Sequence, residues 1–314
     1  FRRVLFRSGT RKSALARTQS SGVADRLRSL GVECELVEIL SEGDRDTTHP
    51  LYAMESSSPG LFCKQLEEAL LKGTIDIAVH SLKDLPTTQP DGLAVCAVLE
   101  REKIQDCLLI HPSKVDSAKP LSLIQGARVG TSSLRREAQL LDARADLQEE
   151  SLRGNVPSRV AQVREGRLDA AVLASAGLHR LKLDLQGLKQ IALPERQFVP
   201  APGQGALAIE STVSLPSEIL RAVTQLNDLE VAACVRIERR IMKELEGGCT
   251  LPFGAYCERV PSGWHVWAFL GLTENRGKGP RDWLSFHRFD ICSDDEETLV
   301  AETVRYFRAR KGGE

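Results

Sequence analysis

Apolar residues recur along this chain with two alternating periods. A period near 3.6 links Leu15, Ala16, Val23, Leu27 and Leu30 and is closed by Gly31, and a second covers Leu61–Leu71 and stops at Gly73. Around them, alternating or wholly apolar runs predict strands at Val4–Phe6, Cys34–Leu40, Ile75–His80 and Leu93–Leu99. The same alternation resumes from Asp106 to about Pro200. There, strands are expected near Cys107–Ile110, Ala127–Val129 and Ala170–Leu173, with helices near Leu134–Ala143 and Ser158–Glu165. After the bend Pro200-Ala201-Pro202-Gly203-Gln204-Gly205 comes one more apolar strand, Ala206–Glu210. From Pro216 the pattern changes to a long helical run, Ile219–Leu245, broken near Asn227-Asp228 and ended by Gly247-Gly248. Two alternating segments (Trp264–Leu270, Trp283–Ile291) and a last helix, Thr298–Arg308, follow. Ser41–Gly60 interrupts the first block as a polar loop holding Pro50 and Pro59, long enough to predict a functional, mobile lid.

The first two blocks echo one another. Gly9-Thr10 before a helix is matched by Gly130-Thr131, and Gly73-Thr74-Ile75-Asp76-Ile77-Ala78-Val79 by Gly166-Arg167-Leu168-Asp169-Ala170-Ala171-Val172. Strands alternating with helices make each block an α/β unit with a largely parallel sheet. The expected fold class is therefore α/β: two similar lobes around a cleft, like periplasmic binding proteins, plus a smaller C-terminal α+β domain. The expected boundaries are 1–103 with 203–215 for the first domain, 104–202 for the second and 216–314 for the third. Ligands of such sheets bind at strand C-termini and helix N-termini.

Composition narrows the chemistry. The 314 residues carry a formal net charge of -1, with 42% apolar and 27% charged residues, as in an ordinary soluble protein. No global field argues for nucleic acid or a membrane surface, and no apolar run approaches the roughly 18 residues of a membrane span. Eight cysteines are scattered without a C-x-x-C pair, and six histidines form no H-x-x-x-H pair. That pattern predicts reduced thiols, mostly core filler, in an intracellular protein without a metal site. Phe1–Ser8 is basic but too short and polar for a secretory signal, and without an initiating Met this end is read as non-native. No long exposed apolar stripe asks for a partner, so a monomer is expected.

Candidate chemistry clusters at turns. Val129-Gly130-Thr131-Ser132-Ser133-Leu134-Arg135-Arg136 runs from a strand end through a glycine turn and three hydroxyl residues, any of which can cap the helix behind them. Unpaired N–H groups at such a helix start attract anions. Arg135, Arg136, Arg153 and Arg159 lie near Gly, Ser or Asn, with Arg180 following, whereas Arg144, Arg164 and Arg167 fit solvated helix faces. Arginines stay charged and grip carboxylates bidentately, so a small ligand with several carboxylates or phosphates is expected. Asp84 stands beside Lys83 before a proline turn, as a general acid or base or as a turn-capping residue. Cys249 follows a double glycine, the best-placed thiol for a covalent bond, although seven other cysteines make core filler the blander reading.

Six stretches together resemble the hydroxymethylbilane synthase (porphobilinogen deaminase) family. These are Gly9-Thr10-Arg11-Lys12-Ser13-x-Leu15-Ala16, Asp76-x-Ala78-Val79-His80-Ser81-x-Lys83-Asp84, Val129 to Arg136, Ser151-Leu152-Arg153-Gly154-Asn155, Pro200-x-x-Gly203-Gln204-Gly205-Ala206 and Leu245-Glu246-Gly247-Gly248-Cys249. The resemblance implies a cytoplasmic three-domain transferase that polymerises four porphobilinogen molecules into hydroxymethylbilane and releases ammonia. It implies a dipyrromethane cofactor in thioether linkage to Cys249, built from substrate, which primes the chain. It implies Asp84 as the group that assists ammonia loss and stabilises the resulting cation. Arg11, Ser13, Gln19, Lys83, Thr131, Ser132, Ser133, Arg135, Arg136, Arg153, Arg159 and Arg180 match positions that bind the substrate's and cofactor's acetates and propionates. Three departures stand out. Met54–Pro59 has no lysine where many relatives do, Ser8 replaces an apolar strand residue, and Pro202 stands where Val is frequent. The competing readings are a non-catalytic two-lobe anion-binding protein, which gives Cys249 and the third domain no use, and a phosphate-ester enzyme, for which no nucleotide-loop spacing exists.

Overall fold

The computed structural model of the chain describes residues 5–40, 63–245, 251–273 and 282–311. The chain divides into two compact units, one of 1–47, 58–102 and 203–233, the other of 48–57, 103–202 and 234–314. The expected lid at 41–60 and Cys249 lie outside the described residues.

In the first unit, β1 (Leu5–Arg11), α1 (Ala14–Ser29), β2 (Glu33–Ile39), α2 (Lys64–Leu71), β3 (Ile77–Ser81) and β4 (Leu93–Val98) are joined by β10 (Leu207–Thr212). The sheet order is β2-β1-β3-β10-β4, with the first three strands parallel and β10 antiparallel to both neighbours. In the second unit, β5 (Asp106–Ile110), β6 (Arg128–Thr131), α3 (Leu134–Ala143), β7 (Gln148–Ser151), α4 (Val156–Arg164), β8 (Ala170–Ala174), α5 (Ser175–Arg180) and β9 (Lys189–Leu193) form the sheet β7-β6-β8-β5-β9 and its helices. Again three strands are parallel and the fourth, β5, is antiparallel to β8 and β9. The expectation of largely parallel sheets is thus corrected to mixed ones. In both, the antiparallel strand (β10 or β5) is the one that enters just after the chain arrives from the other unit.

The internal repeat reaches side-chain detail. Asp76 accepts the backbone N–H of Arg7 at 2.6 Å and its guanidinium Nη2 at 2.9 Å. Asp169 does the same for Arg128, at 2.9 Å from the backbone and 3.4 Å from Nη2. Gly9 and Gly130 lie within strands, not at the turns expected of them. Their glycine is required by close packing: a Cβ on Gly130 would sit 2.5 Å from Leu168 Cδ1, and one on Gly9 would overlap Ile75, the residue at the equivalent place. β1 accordingly runs five residues beyond the sequence expectation, with Phe6 and Ser8 fully buried in it.

The helical run after Pro216 breaks where expected, into α6 (Ser217–Thr224) and α7 (Leu229–Glu244). Ile219, Ala222 and Val223 of α6 pack with Phe6, Val23 and Ile209 in the first unit's core. The C-terminal part holds β11 (Phe253–Val260), β12 (Gly263–Thr273), β13 (Trp283–Ser293) and α8 (Glu296–Lys311), an antiparallel β11-β12-β13 sheet. One face packs on α7 and α8 through Ile237, Ile241, Val266, Leu270, Val304 and Phe307. The opposite face lies against α3, where Ala138 meets Tyr256 and Phe269, and Trp283 Nε1 donates to Glu137 at 3.1 Å. β11, β7 and β9 have no counterpart in the sequence reading.

Burial alone would raise the Asp169 carboxyl, but hydrogen bonds from Arg128 and Lys114 hold it below its ordinary value. A lowered folded value means stabilisation that is present above the ordinary carboxylate range and lost as pH falls through it. Asp169→Asn is expected to lower the unfolding free energy by about 1–3 kcal/mol at pH 7. In urea titrations the gap from wild type should close below about pH 4.

Candidate active site

The first unit gathers its polar groups at the C-terminal ends of its parallel strands. β1 and β3 are neighbours with Ser8 opposite Ile77 and Gly9 opposite Ala78, so Arg11 at the end of β1 and Ser81 at the end of β3 emerge on one side. Ser13 caps α1, its Oγ accepting from Ala16 N at 3.2 Å, so this hydroxyl has a structural duty beside any ligand role. Gln19, buried on α1, donates Nε2 to Ser81 Oγ at 3.0 Å and ties the helix to the end of β3. A single 3-10 turn, Leu82–Asp84, follows and places Lys83 and Asp84, both half-buried, just beyond the strand.

That turn is held from beneath. Leu82 N donates to Ala206 O at 3.0 Å, and Cys63 Sγ donates to the Asp84 carbonyl at 3.4 Å. Gly203 (φ +75°) packs against Leu82, where a Cβ would come within 2.9 Å of Cγ, and Gly205 (φ +90°) approaches the Glu102 carbonyl. The Gly203-Gln204-Gly205 segment is therefore a buried support leading into β10. Below it, His80 Nε2 lies 3.0 Å from Glu210 Oε2 in a fully buried cross-strand pair. Burial, and then the proximity of Glu210, push the nearby Glu67 carboxyl up.

The second unit builds the equivalent end differently. β6 delivers Thr131, Ser132 and Ser133 to the start of α3. Thr131 Oγ1 accepts from Ser133 N at 3.1 Å, and Ser132 Oγ donates to Leu152 O at 2.5 Å, joining the ends of β6 and β7. Ser133 occupies the N-cap position, yet its side chain makes no capping bond. The first intrahelical bond runs from Glu137 N to Ser133 O, so the N–H groups of Leu134, Arg135 and Arg136 stand ahead of the helical ladder. Arg153 follows Leu152 in the loop after β7. Arg159, on α4, donates Nε to Gly154 O at 2.8 Å, and Arg180 ends α5.

The two arginines heading α3 are not solvated. Arg135 donates Nη2 to Asp106 Oδ2 at 2.8 Å and Nη1 to Val199 O at 2.7 Å. Arg136 places Nε and Nη2 on Asp106 Oδ1 at 3.1 and 2.7 Å and Nη1 on Val172 O at 3.1 Å. Burial holds the Arg135 guanidinium below its ordinary value despite Asp106. Arg144, expected on a solvated face, is instead 8% exposed. It clamps Asp146 and the carbonyls of Pro120, Leu123 and Ile124, a purely structural duty. Sequence reasoning missed Asp106, Cys63, Gln139 (which pairs with Val199 N and O) and the His80–Glu210 pair. Asp106 alone left a signal: a charge opening the apolar run Cys107–Ile110 needs a buried partner.

The described cysteines are unbridged, and five of the seven are buried. Burial pushes Cys34 and Cys107 up to about 11 and raises Cys63 and Cys96 as well, which makes them poor nucleophiles. Among the described residues no helix is long and apolar enough to cross a membrane.

The chain is 42% identical over 253 residues to a probable porphobilinogen deaminase of Methanosarcina barkeri, covering 81% of this chain and 77% of that one. It is 42% identical over 265 residues to the porphobilinogen deaminase of Campylobacter fetus, covering 84% of each. With that of Brevibacillus brevis it shares 43% over 250 residues, 79% of this chain and 78% of that one. Among solved structures, the methionine-binding protein MetQ aligns with a TM-score of 0.43 at 13% identity, over 73% of this chain and 92% of that one, too loosely to bear on function. Residues 6–216 match the family described as porphobilinogen deaminase, dipyromethane cofactor binding domain, and residues 232–267 match porphobilinogen deaminase, C-terminal domain. The chain belongs to the porphobilinogen deaminase family, transferases of tetrapyrrole biosynthesis that carry a dipyrromethane cofactor.

Proposed function

We propose that Asp84 is the catalytic carboxylate of this enzyme, that Cys249 carries the cofactor through a thioether, and that the donors at the strand ends bind the carboxylates of the growing chain. The observation that carries this reading is the placement of Asp84 on a rigid turn at the end of β3, beside Lys83 and on the side where Arg11 and the start of α1 emerge. Porphobilinogen bears an aminomethyl group, an acetate and a propionate on one pyrrole. Loss of ammonia from the aminomethyl carbon leaves a cation, and a fixed carboxylate nearby lowers the barrier by opposing that charge. Asp84 is held for this by its own backbone: its carbonyl is tied to Cys63 and its turn to Ala206, so little reorganisation is needed as charge develops.

The residues present fit a group with two acetates and two propionates. The start of α3 offers N–H donors without a side-chain cap, the Ser133 hydroxyl beside them, and Arg135 and Arg136 behind them. Arg153, Arg159 and Arg180 add guanidinium groups, and Arg11, Ser13, Gln19 and Lys83 supply donors in the first unit. When bound, the cofactor supplies the pyrrole carbon to which the first substrate is joined. The chain's part is to neutralise two further carboxylates with each unit added, for which permanently charged arginines suit better than lysines.

We read the functional division as three parts, with 216–314 bearing the cofactor cysteine, and the protein as a cytoplasmic monomer. The described thiols, unbridged and mostly buried, support the compartment. Light scattering that returns the mass of one 34.5 kDa chain would bear out the monomer.

Asp84→Ala is expected to retain cooperative melting and the added mass of two linked pyrroles while turnover falls roughly 100-fold or more. Turnover near wild type would remove Asp84 from the mechanism. Cys249→Ser is expected to lack that mass entirely, and peptide mapping of wild type should find it on the peptide containing Cys249. Mass on any other cysteine would reassign the attachment site.

A further inference from the structure

Asp106, Arg135 and Arg136 form a buried triad at the head of α3, with side-chain exposures of 0%, 5% and 9%. Two guanidinium groups that cannot lose their protons share one carboxylate. Among the described residues no other carboxylate bonds either arginine. Burying such a set is costly, and it is not a requirement of the fold, because the first unit builds the same architecture without it. The first turn of α1 reads Ala14-Leu15-Ala16 where α3 reads Leu134-Arg135-Arg136. In the register of the antiparallel strands, Asp106 faces Ala174 at the end of β8, whereas Leu207 faces Ser81 at the end of β3. One unit therefore fills these three places with apolar residues and the other with a complete charged set. Such a swap made as a set points to a duty toward a ligand, not to stability.

We propose that Asp106 is a positioning residue for the established reaction: it orients Arg135 and Arg136 and offsets one of their two charges, so that the pair presents one net positive charge and fixed donors to a single ligand carboxylate. This rests on the reading of those arginines as carboxylate-binding groups. Arg136 uses three of its five N–H donors on Asp106 and the Val172 carbonyl, which fixes the plane of the group and the direction of the two that remain. Arg135 is held from three sides. Asp106 and Val199 O take its two terminal nitrogens, and its Cδ passes 3.2 Å from where a Cβ on Gly254 would lie. Gly254 belongs to β11, so the C-terminal sheet shares in setting this arginine. Without Asp106 the two cations repel each other, and their donors no longer converge.

The test uses the full chain with its cofactor. Wild-type protein that carries the dipyrromethane mass and turns over porphobilinogen establishes the underlying reading. Failure there condemns that reading, not Asp106 alone. In Asp106→Asn, the KM for porphobilinogen is expected to rise at least tenfold and the cofactor-bearing fraction to fall, with kcat of the loaded protein changing less than threefold. Asp106→Glu keeps the charge but displaces it by one methylene, and should recover part of the KM loss. A triple variant with the first unit's residues, Asp106→Leu, Arg135→Leu and Arg136→Ala, is expected to melt cooperatively within a few degrees of wild type and to carry no cofactor. A folded Asp106→Asn with wild-type KM and loading overturns the proposal. If Asp106→Asn does not fold, a wild-type KM in Asp106→Glu overturns it instead. A triple variant that cannot fold also overturns it, by making the triad a requirement of the fold.

Discussion

The geometry of both α/β units depends on one interaction, an aspartate that grips the strand beside it. Asp76 and Asp169 each stand just before a parallel strand, and each accepts both the backbone N–H and the guanidinium of the arginine on its neighbour. Each also returns a backbone bond, Asp76 N to Arg7 O at 2.8 Å and Asp169 N to Arg128 O at 3.1 Å. A strand has no intrinsic register, and a slip of one residue would turn every side chain to the other face. The aspartate removes that freedom, and the glycine two residues beyond each arginine lets Ile75 or Leu168 pack directly on the backbone. With register fixed at the N-terminal end, the C-terminal ends follow. Thr10 and Arg11 in one unit, and Thr131 and Ser132 in the other, are delivered to defined places by a constraint several residues away.

Much of this was legible in the sequence because it is periodic or repeated. The echo of Gly73–Val79 in Gly166–Val172 revealed two like units, and the helical periods located α1, α2, α3, α7 and α8 to within a few residues. The misses share a physical cause. β7 reads Gln-Glu-Glu-Ser, an edge strand whose faces carry no apolar alternation. The roles of Gly9 and Gly130 were misread because a glycine in a strand and a glycine in a turn look alike without their neighbours. The antiparallel entries of β5 and β10 could not be seen, since direction within a sheet is a property of pairing and not of the strand's own residues. That α6 completes the first core was not legible, because its amphipathic face suits either setting and only packing shows which core it joins.

The candidate site was legible as residue types and turns, less so as bonds. Asp84 and Lys83 lie on the turn the proline suggested, whereas the capping duty of Ser13 became visible only in the structure. The arginines illustrate the limit. Arg135, Arg144 and Arg159 look similar in sequence, yet one is locked to a buried carboxylate, one braces three loop carbonyls, and one is tied by Nε to the turn before its own helix. What separates them is the depth of the partner. A guanidinium near the surface exchanges water for carbonyls at small net gain, whereas a buried one must find charge or the structure does not form.

The sequence on either side of Cys249 is anchored in the core of the C-terminal sheet. The described chain stops at Leu245 and resumes at Leu251, and both leucines belong to the cluster around Ile241 and Phe253. Two residues beyond the first of β11, Ala255 N bonds to Pro200 O at 3.1 Å, and the glycine before it abuts Arg135. The other face of the sheet's far strand reaches Glu137 through Trp283. The described residues on either side of Cys249 and the arginines heading α3 thus belong to one compact unit. Asp84 belongs to the other unit. The arginines heading α3 and Asp84 are therefore built on separate supports, so the packing around one can be altered by substitution without disturbing the packing around the other.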